Sequence, residues 1–284
     1  NSQLIISTND RLAISSLPMI IFSRSKTFKK NLIVIVMGLF SKNRDKKIVS
    51  FLQKNFLIFI IKKVNNFIFL GKGEYLLASK MFPKFKDKFK FIPFGINLEF
   101  WKPSKNYTAN EKEYILFVGN DGNREFEQVI DIANTVKDIK IKIITSHDIS
   151  ERILNENAEV IYGNWHNDAL TDANLKEYYE NALLTFIPLK ETYQPSGQSV
   201  ALQSMSLGVP VMITKTMGFW DIEKFKHLKN IIFIENNTTE NWINLLNSTL
   251  MNHDLLNKIS KDSLETVRKH YNQNDFFKKM EELI

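Results

Sequence analysis

The sequence predicts an α/β chain built on parallel, doubly wound sheets, and three observations predict it. Short apolar strands alternate with helical stretches from residue 114 to residue 234. Leu183–Pro188 is a continuous apolar run of the kind buried on both faces in a parallel sheet. Charge divides the 284 residues unevenly: residues 1–110 hold 20 Lys and Arg against 5 Asp and Glu, a charge of +15, and the remainder carries −8. Two units with different partners account for that division.

In the first unit, residues 1–103, strands are expected at Leu4–Ser7, Asn31–Met37, Asn66–Leu70 and Phe89–Pro93, with helices near Lys46–Lys62 and Gly73–Met81. These are too few strands for a complete nucleotide-type sheet, so this unit is expected to be incomplete. The chain opens at Asn1 directly on a strand, without the basic and apolar regions of a signal peptide, and reads as the remainder of a longer protein. A polar linker, Ser104–Lys112, follows Pro103. The second unit, residues 104–265, then alternates strands Tyr114–Val118, Lys140–Thr145, Glu159–Tyr162, Leu183–Pro188, Val209–Ile213 and Asn230–Ile234 with helices near Arg124–Val136, Asn174–Asn181, Gly197–Leu207 and Thr239–Leu250. Amphipathic helices at Leu255–His270 and Gln273–Leu283 end the chain.

Between the strand Leu183–Pro188 and the following helix lies Gln194-Pro195-Ser196-Gly197-Gln198-Ser199. A glycine-containing turn at a helix start points unpaired backbone N–H groups and the positive helix end outward, which is how α/β proteins hold phosphate. The loop reads as a nucleotide-diphosphate site.

Cysteine is absent, which excludes disulfides and thiolate metal sites and suits a reducing compartment. The histidines, His147, His166, His227, His253 and His270, lack metal-site spacing. Chemistry without metal or cofactor is expected. No apolar run reaches the length of a membrane span; Phe56–Ile61 is closed by Lys62-Lys63. Phe and Lys interleave from Phe51 through Phe91, including Phe82, Lys84, Phe85, Lys86, Lys88, Phe89 and Lys90. That pattern suits an anionic membrane surface or a phosphate-bearing lipid acceptor, and equally a solvated lysine-rich face. Nucleic acid is the other partner such a field could serve, but no recognisable RNA-binding module accompanies it, and none is expected to bind.

Three segments carry a resemblance to a known family. Gln194–Ser199 with its continuation, QPSGQSVALQSMSLGVPVMITKTMGFWD, resembles the donor loop of nucleotide-sugar glycosyltransferases of the GT-B fold, families 1 and 4. Ile92-Pro93-Phe94-Gly95-Ile96-Asn97, followed by Phe100-Trp101-Lys102-Pro103, is similar to the family's interdomain crossing. Tyr114–Asn120 is similar to the first strand and loop of its second domain. The match runs in order over about residues 85–284.

The resemblance implies two Rossmann-like doubly wound domains facing a cleft, with residues 266–284 returning to the first. It implies that Arg124, Gly197, Gln198 and Ser199 meet the donor diphosphate. Gln203 stands where the family has a ribose-binding glutamate, and can accept with its carbonyl but carries no charge. Pro195 stands where the family has a second glutamate, which leaves Gln194, Ser196 and Gln198 for the donor sugar. Strand ends place Thr145, Trp165 and His166 beside the base, where Trp165 either stacks or packs. The implied activity moves a hexose from a UDP- or GDP-sugar to a growing glycan or lipid-linked acceptor at the cytoplasmic membrane face, with retention of configuration. The catalytic base is unassigned, since residues 1–110 offer the carboxylates Asp10, Asp45, Glu74, Asp87 and Glu99 and no histidine. A sugar-nucleotide epimerase and a non-catalytic membrane or nucleic-acid binder of the same fold are the alternatives.

Overall fold

The computed structural model describes residues 4–22, 31–41, 47–163 and 170–283. They form two parallel sheets, one of four strands and one of six.

The first sheet comprises β1 (Leu4–Ser7), β2 (Asn31–Val36), β3 (Asn66–Phe69) and β4 (Phe89–Phe91), side by side in chain order. They are joined by α1 (Asp10–Phe22), α2 (Lys47–Lys63) and α3 (Lys72–Met81). Parallel crossovers are right-handed, so sequential order sends every connecting helix to one face. On that face Leu32, Val34, Val36, Phe67 and Phe69 pack against Ala13 of α1, Leu57, Ile60 and Ile61 of α2 and Ala78 of α3. The intervening residues Ile33 and Ile68 point to the other face, as a two-residue period requires.

The aromatic content of this half is largely core. Phe40 lies 5.6–5.9 Å, ring to ring, from Phe67, Phe69, Phe82 and Phe89. Phe82 and Phe89, expected on a lysine-rich surface, are buried there, because aromatic rings interleaved with lysines satisfy an edge strand and its preceding turn as well as they satisfy a membrane. Lys88 points its ammonium at the end of α2, donating to the carbonyls of Ile61 and Val64. Helix α1 was not legible in the sequence; Asn9 starts it by accepting from Leu12 N.

The second sheet contains β5 (Tyr114–Val118), β6 (Lys140–Thr145), β7 (Ala158–Tyr162), β8 (Ala182–Ile187), β9 (Val211–Thr214) and β10 (Ile232–Ile234), in the order β10-β9-β8-β5-β6-β7. Its helices are α4 (Phe126–Thr135), α5 (Asp172–Glu180), α6 (Gln198–Ser206), α7 (Thr239–Leu250) and α8 (His253–His270). Strand order reverses between β5 and β8, and the crevice beyond the carboxyl ends of such a pair is where open α/β sheets take ligands. The expected linker is firmly packed: Tyr107 Oη donates to Leu183 O, and Ala109 N donates to Asn257 Oδ1.

The chain crosses between the sheets twice at one place. Ile96 N donates to Tyr271 O and Gln273 N donates to Ile96 O. A Cβ on Gly95 would lie 2.7 Å from Asn272 O, so only glycine permits this approach. Beyond it α9 (Gln273–Glu281) returns to the first sheet, where Met280 packs with Ile33, Ile68, Leu70 and Ile92 on the face that the crossover helices leave bare.

Candidate active site

Both loops at the strand-order reversal belong to the second sheet. After β5 the chain runs Gly119–Glu125, and after β8 it runs Pro188–Gly197. The two are stitched together by backbone: Glu125 N donates to Pro188 O, Lys190 N donates to Asn123 O, and Arg124 forms an antiparallel bridge with Leu189. Arg124 was expected at a helix start; this bridge holds it in extended backbone, and α4 begins two residues later.

Arg124 is 3% exposed. Its side chain lies over Gly119, where a Cβ would come within 2.5 Å of Nε. Nη1 is 3.0 Å from Asp121 Oδ2, an ion pair without hydrogen-bond alignment, and Nε makes no hydrogen bond among the described residues. Burial draws the guanidinium down from its ordinary pKa, with Asp121 opposing. A buried guanidinium with unmatched donors is poised for an anion. The fully buried Tyr179 of α5 lies close enough for Arg124 to counter the upward push of burial on its phenol. Tyr179 Oη approaches Gln203 Oε1 at 3.5 Å, so Arg124, Tyr179 and Gln203 form one group.

Gly197 adopts the left-handed conformation, φ +73°, and begins α6. Its Cα faces Ile187, and an added Cβ would touch that side chain at 3.0 Å. The first-turn N–H groups of α6 have no partner within the helix and lie at the positive end of its dipole. Ser199 is exposed, whereas Ser196 and Gln198 are buried. Ser196 Oγ accepts from Asn123 Nδ2 at 2.8 Å, and the same Nδ2 is 3.4 Å from Gln194 Oε1. Asn123 was missed in the sequence, although its place beside the singled-out Arg124 could have drawn attention to it.

The loop faces the first sheet across close contacts. Gln198 Nε2 donates to Leu70 O at 3.1 Å, which ties its side chain to the turn after β3. A Cβ on Gly71 would lie 2.7 Å from Pro195 Cβ, one on Gly73 would lie 2.2 Å from Met217 O, and one on Gly38 would lie 2.8 Å from Gln194 Oε1. Lys72 N donates to Trp220 O, and Lys72 Nζ pairs with Glu223 at 2.7 Å. Glu191 Oε1 accepts from Met217 N, bracing the second-domain side.

The residues expected beside the base are described only in part. Trp165 and His166 lie outside the described residues. Thr145 is fully buried; its hydroxyl donates to Asn120 Oδ1 and accepts from His147 N. Asn120 also accepts from Ser146 N and donates to Gly163 O, so it clamps the ends of β5, β6 and β7. Thr145 therefore shapes this wall from within.

Glu74 lies on the first-sheet side. It is 1% exposed, and its oxygens accept from Gly38 N at 3.1 Å and Phe40 N at 3.0 Å. Burial raises its pKa to about 7, outweighing those bonds, and Asp10 adds to the rise. The unfolded carboxyl, near 4.5, ionises first as pH climbs, so this group destabilises the fold progressively from pH 4.5 to about 7. The full penalty, about 3 kcal/mol at most, is present above that window. Urea denaturation at pH 5 and pH 8 should show the parent losing more stability than Glu74→Gln between the two; equal losses would contradict the buried ionisation.

No protein-family model matches the chain, and no curated protein matches its sequence. Solved structures do match. Sucrose-phosphate synthase from Thermosynechococcus elongatus aligns with TM-score 0.77 at 15% identity, over 99% of this chain and 72% of that one. HepE from Anabaena, in complex with UDP-glucose, aligns with TM-score 0.75 at 12% identity, over 99% and 78%. A glycosyltransferase from Rickettsia africae aligns with TM-score 0.59 at 13% identity, over 99% and 97%. The chain has the GT-B fold of these proteins.

Proposed function

We propose that the chain is a glycosyltransferase that moves a hexose from a UDP- or GDP-sugar to a glycan or lipid-linked acceptor. The observation that carries this reading is the buried, incompletely paired Arg124 at the strand-order reversal, whose neighbour Asn123 bonds Ser196 just before the N-terminus of α6. A fixed cation and a helix N-terminus aimed at one place stabilise the charge that develops as a sugar–phosphate bond breaks. Arg124 with the backbone of Gly197, Gln198 and Ser199 would hold the diphosphate. Gln194 and Ser196, set by Asn123, would face the sugar, and Gln203 the ribose. The Gln198 side chain would act through the first domain, since it is bonded to Leu70 O. Retention of configuration, on the donor face without a protein nucleophile, follows from the family resemblance.

Calorimetry with UDP and GDP, without added metal, tests the reading: one of them should bind, and failure of both would end it. Gln203→Leu should weaken that nucleotide by about 1–3 kcal/mol by leaving ribose donors unpaired, whereas Gln203→Glu should preserve affinity because a carboxylate accepts more strongly. The 2′,3′-dideoxy nucleotide should not distinguish parent from Gln203→Leu. If it does, Gln203 does not serve the ribose.

The membrane reading moves to α2. Leu52, Phe56 and Phe59, at helical spacing, are 62%, 48% and 44% exposed, with exposed Lys62 and Lys63 at the end of the stripe. An apolar stripe flanked by lysines suits an anionic lipid surface. No helix among the described residues is long and apolar enough to cross a membrane. Sedimentation with phosphatidylglycerol vesicles should carry the protein down, and Phe56→Ser/Phe59→Ser should leave it in the supernatant; equal recovery of the two proteins would remove α2 from the interface.

A further inference from the structure

Glu74 is a buried carboxylate that the proposed transfer does not use, and among the described residues no cation pairs with it. Both its oxygens serve one stretch of backbone, the turn Met37–Ser41 that continues β2 at its carboxyl end. Asp10, at the start of α1, holds the first residue of the same turn by accepting from Met37 N at 3.1 Å. Ser41 closes it, its hydroxyl donating to Gly38 O at 2.9 Å. Two acidic side chains from two helices thus fix a five-residue turn by its N–H groups. An apolar residue at position 74 would leave Gly38 N and Phe40 N without acceptors in a buried place, so the carboxylate's cost is tied to keeping this turn in one shape.

That shape matters across the cleft. Gly38 has φ +95°, a conformation that side chains resist, and its Cα is directed at Gln194. A methyl group there would displace the Gln194 amide, since a Cβ would be 2.8 Å from Gln194 Oε1 and 3.4 Å from Gln194 Cδ. Gln194 in turn shares Asn123 Nδ2 with Ser196. The path Glu74, Gly38, Gln194, Asn123, Ser196 is therefore continuous, and it crosses from the first domain to the loop that precedes α6.

We infer that Glu74 is a positioning residue for the donor sugar: by fixing the Gly38 turn it limits where the Gln194 amide can sit, and so selects the sugar end of the donor without touching it. This rests on the nucleotide-sugar reading and assigns a part of that site to the first domain. Its signature is selective. Arg124, Gly197 and Gln203 all belong to the second domain, so the nucleotide's own affinity should not depend on the Gly38 turn.

The test is calorimetry on the full chain with UDP and with whichever of UDP-glucose, UDP-galactose and UDP-N-acetylglucosamine binds tightest, or the GDP counterparts if the parent prefers GDP. In Glu74→Gln one N–H of the turn meets an amide NH2 in place of an acceptor. UDP affinity should stay within about twofold, while the ratio of sugar-nucleotide to UDP affinity falls about tenfold. Gly38→Ala should give the same selective loss, and the double variant should be no worse than either single one, because both act on one contact. Should Glu74→Gln not fold, Glu74→Asp, which draws the carboxylate back from the turn, carries the same expectation. An unchanged ratio, an equal loss for UDP and sugar-nucleotide, or single effects that multiply in the double variant would overturn the inference while leaving the nucleotide site standing. A parent that binds neither UDP nor GDP overturns the nucleotide-sugar reading and this inference with it.

Discussion

Gly73→Ala is expected to lower the proposed transfer activity by about 100-fold while leaving both domains folded. The added Cβ would stand 2.2 Å from Met217 O and 2.8 Å from Gly218 Cα, atoms of backbone in the other domain that no rotamer change can move aside. An ordinary contact needs more than 3 Å, so the domains must separate by about 1 Å or more at this lip. The same shift would pull Lys72 N from Trp220 O, now 2.8 Å apart, and Gln198 Nε2 from Leu70 O. Misplacement of about 1 Å far from the chemistry is enough to cost two orders of magnitude in rate. Steady-state kinetics with small-angle scattering checks this: rate should fall and the radius of gyration rise, with circular dichroism unchanged. Full activity in Gly73→Ala would mean that the domains do not work in this apposition.

Arg124→Met is expected to move binding and stability in opposite directions. The parent holds a 3%-exposed guanidinium whose Nε lacks a hydrogen-bond partner among the described residues and whose one ion pair, to Asp121, is half exposed. An apolar side chain of similar length removes that desolvation cost, so unliganded stability should hold or rise. Nucleotide affinity should fall by about 1–3 kcal/mol, the range for a charge-assisted contact. Thermal melts and calorimetry on the same preparation separate the two. A variant that is much less stable and binds UDP or GDP as the parent does would make Arg124 a structural residue.

Much of the second domain was legible because its strands are continuous apolar runs closed by turn residues. The six expected strands between residues 114 and 234 all form, within a few residues of their expected ends. Gly197 as a helix start was legible too, since a glycine between a strand and a helix has few other uses. What escaped was anything that depends on a distant partner. Gly73 reads only as the start of a helix, and the need for absent side chains at Gly71 and Gly73 appears only when Pro195 and Met217 come against them. Phe82 and Phe89 read as surface because their neighbours are lysines; their burial is decided by Phe40, which follows β2. Helix α1 escaped for a local reason, since Pro18 and the apolar run around it blur the 3.6-residue period that marks a helix. Gln203 was singled out by position, but its link to Arg124 through Tyr179 runs through a helix that the sequence presents only as packing.

The return of α9 sets an order of events during synthesis. One face of the first sheet can close as soon as α1, α2 and α3 exist, but Ile33, Ile68 and Ile92 wait for Met280. Among the described residues, nothing synthesised before the end of the second sheet covers that apolar face, the kind of surface that chaperones hold. Among the described residues, synthesis of the second sheet falls between the two covers of the first: its helices α1 to α3 come before, and α9 comes after.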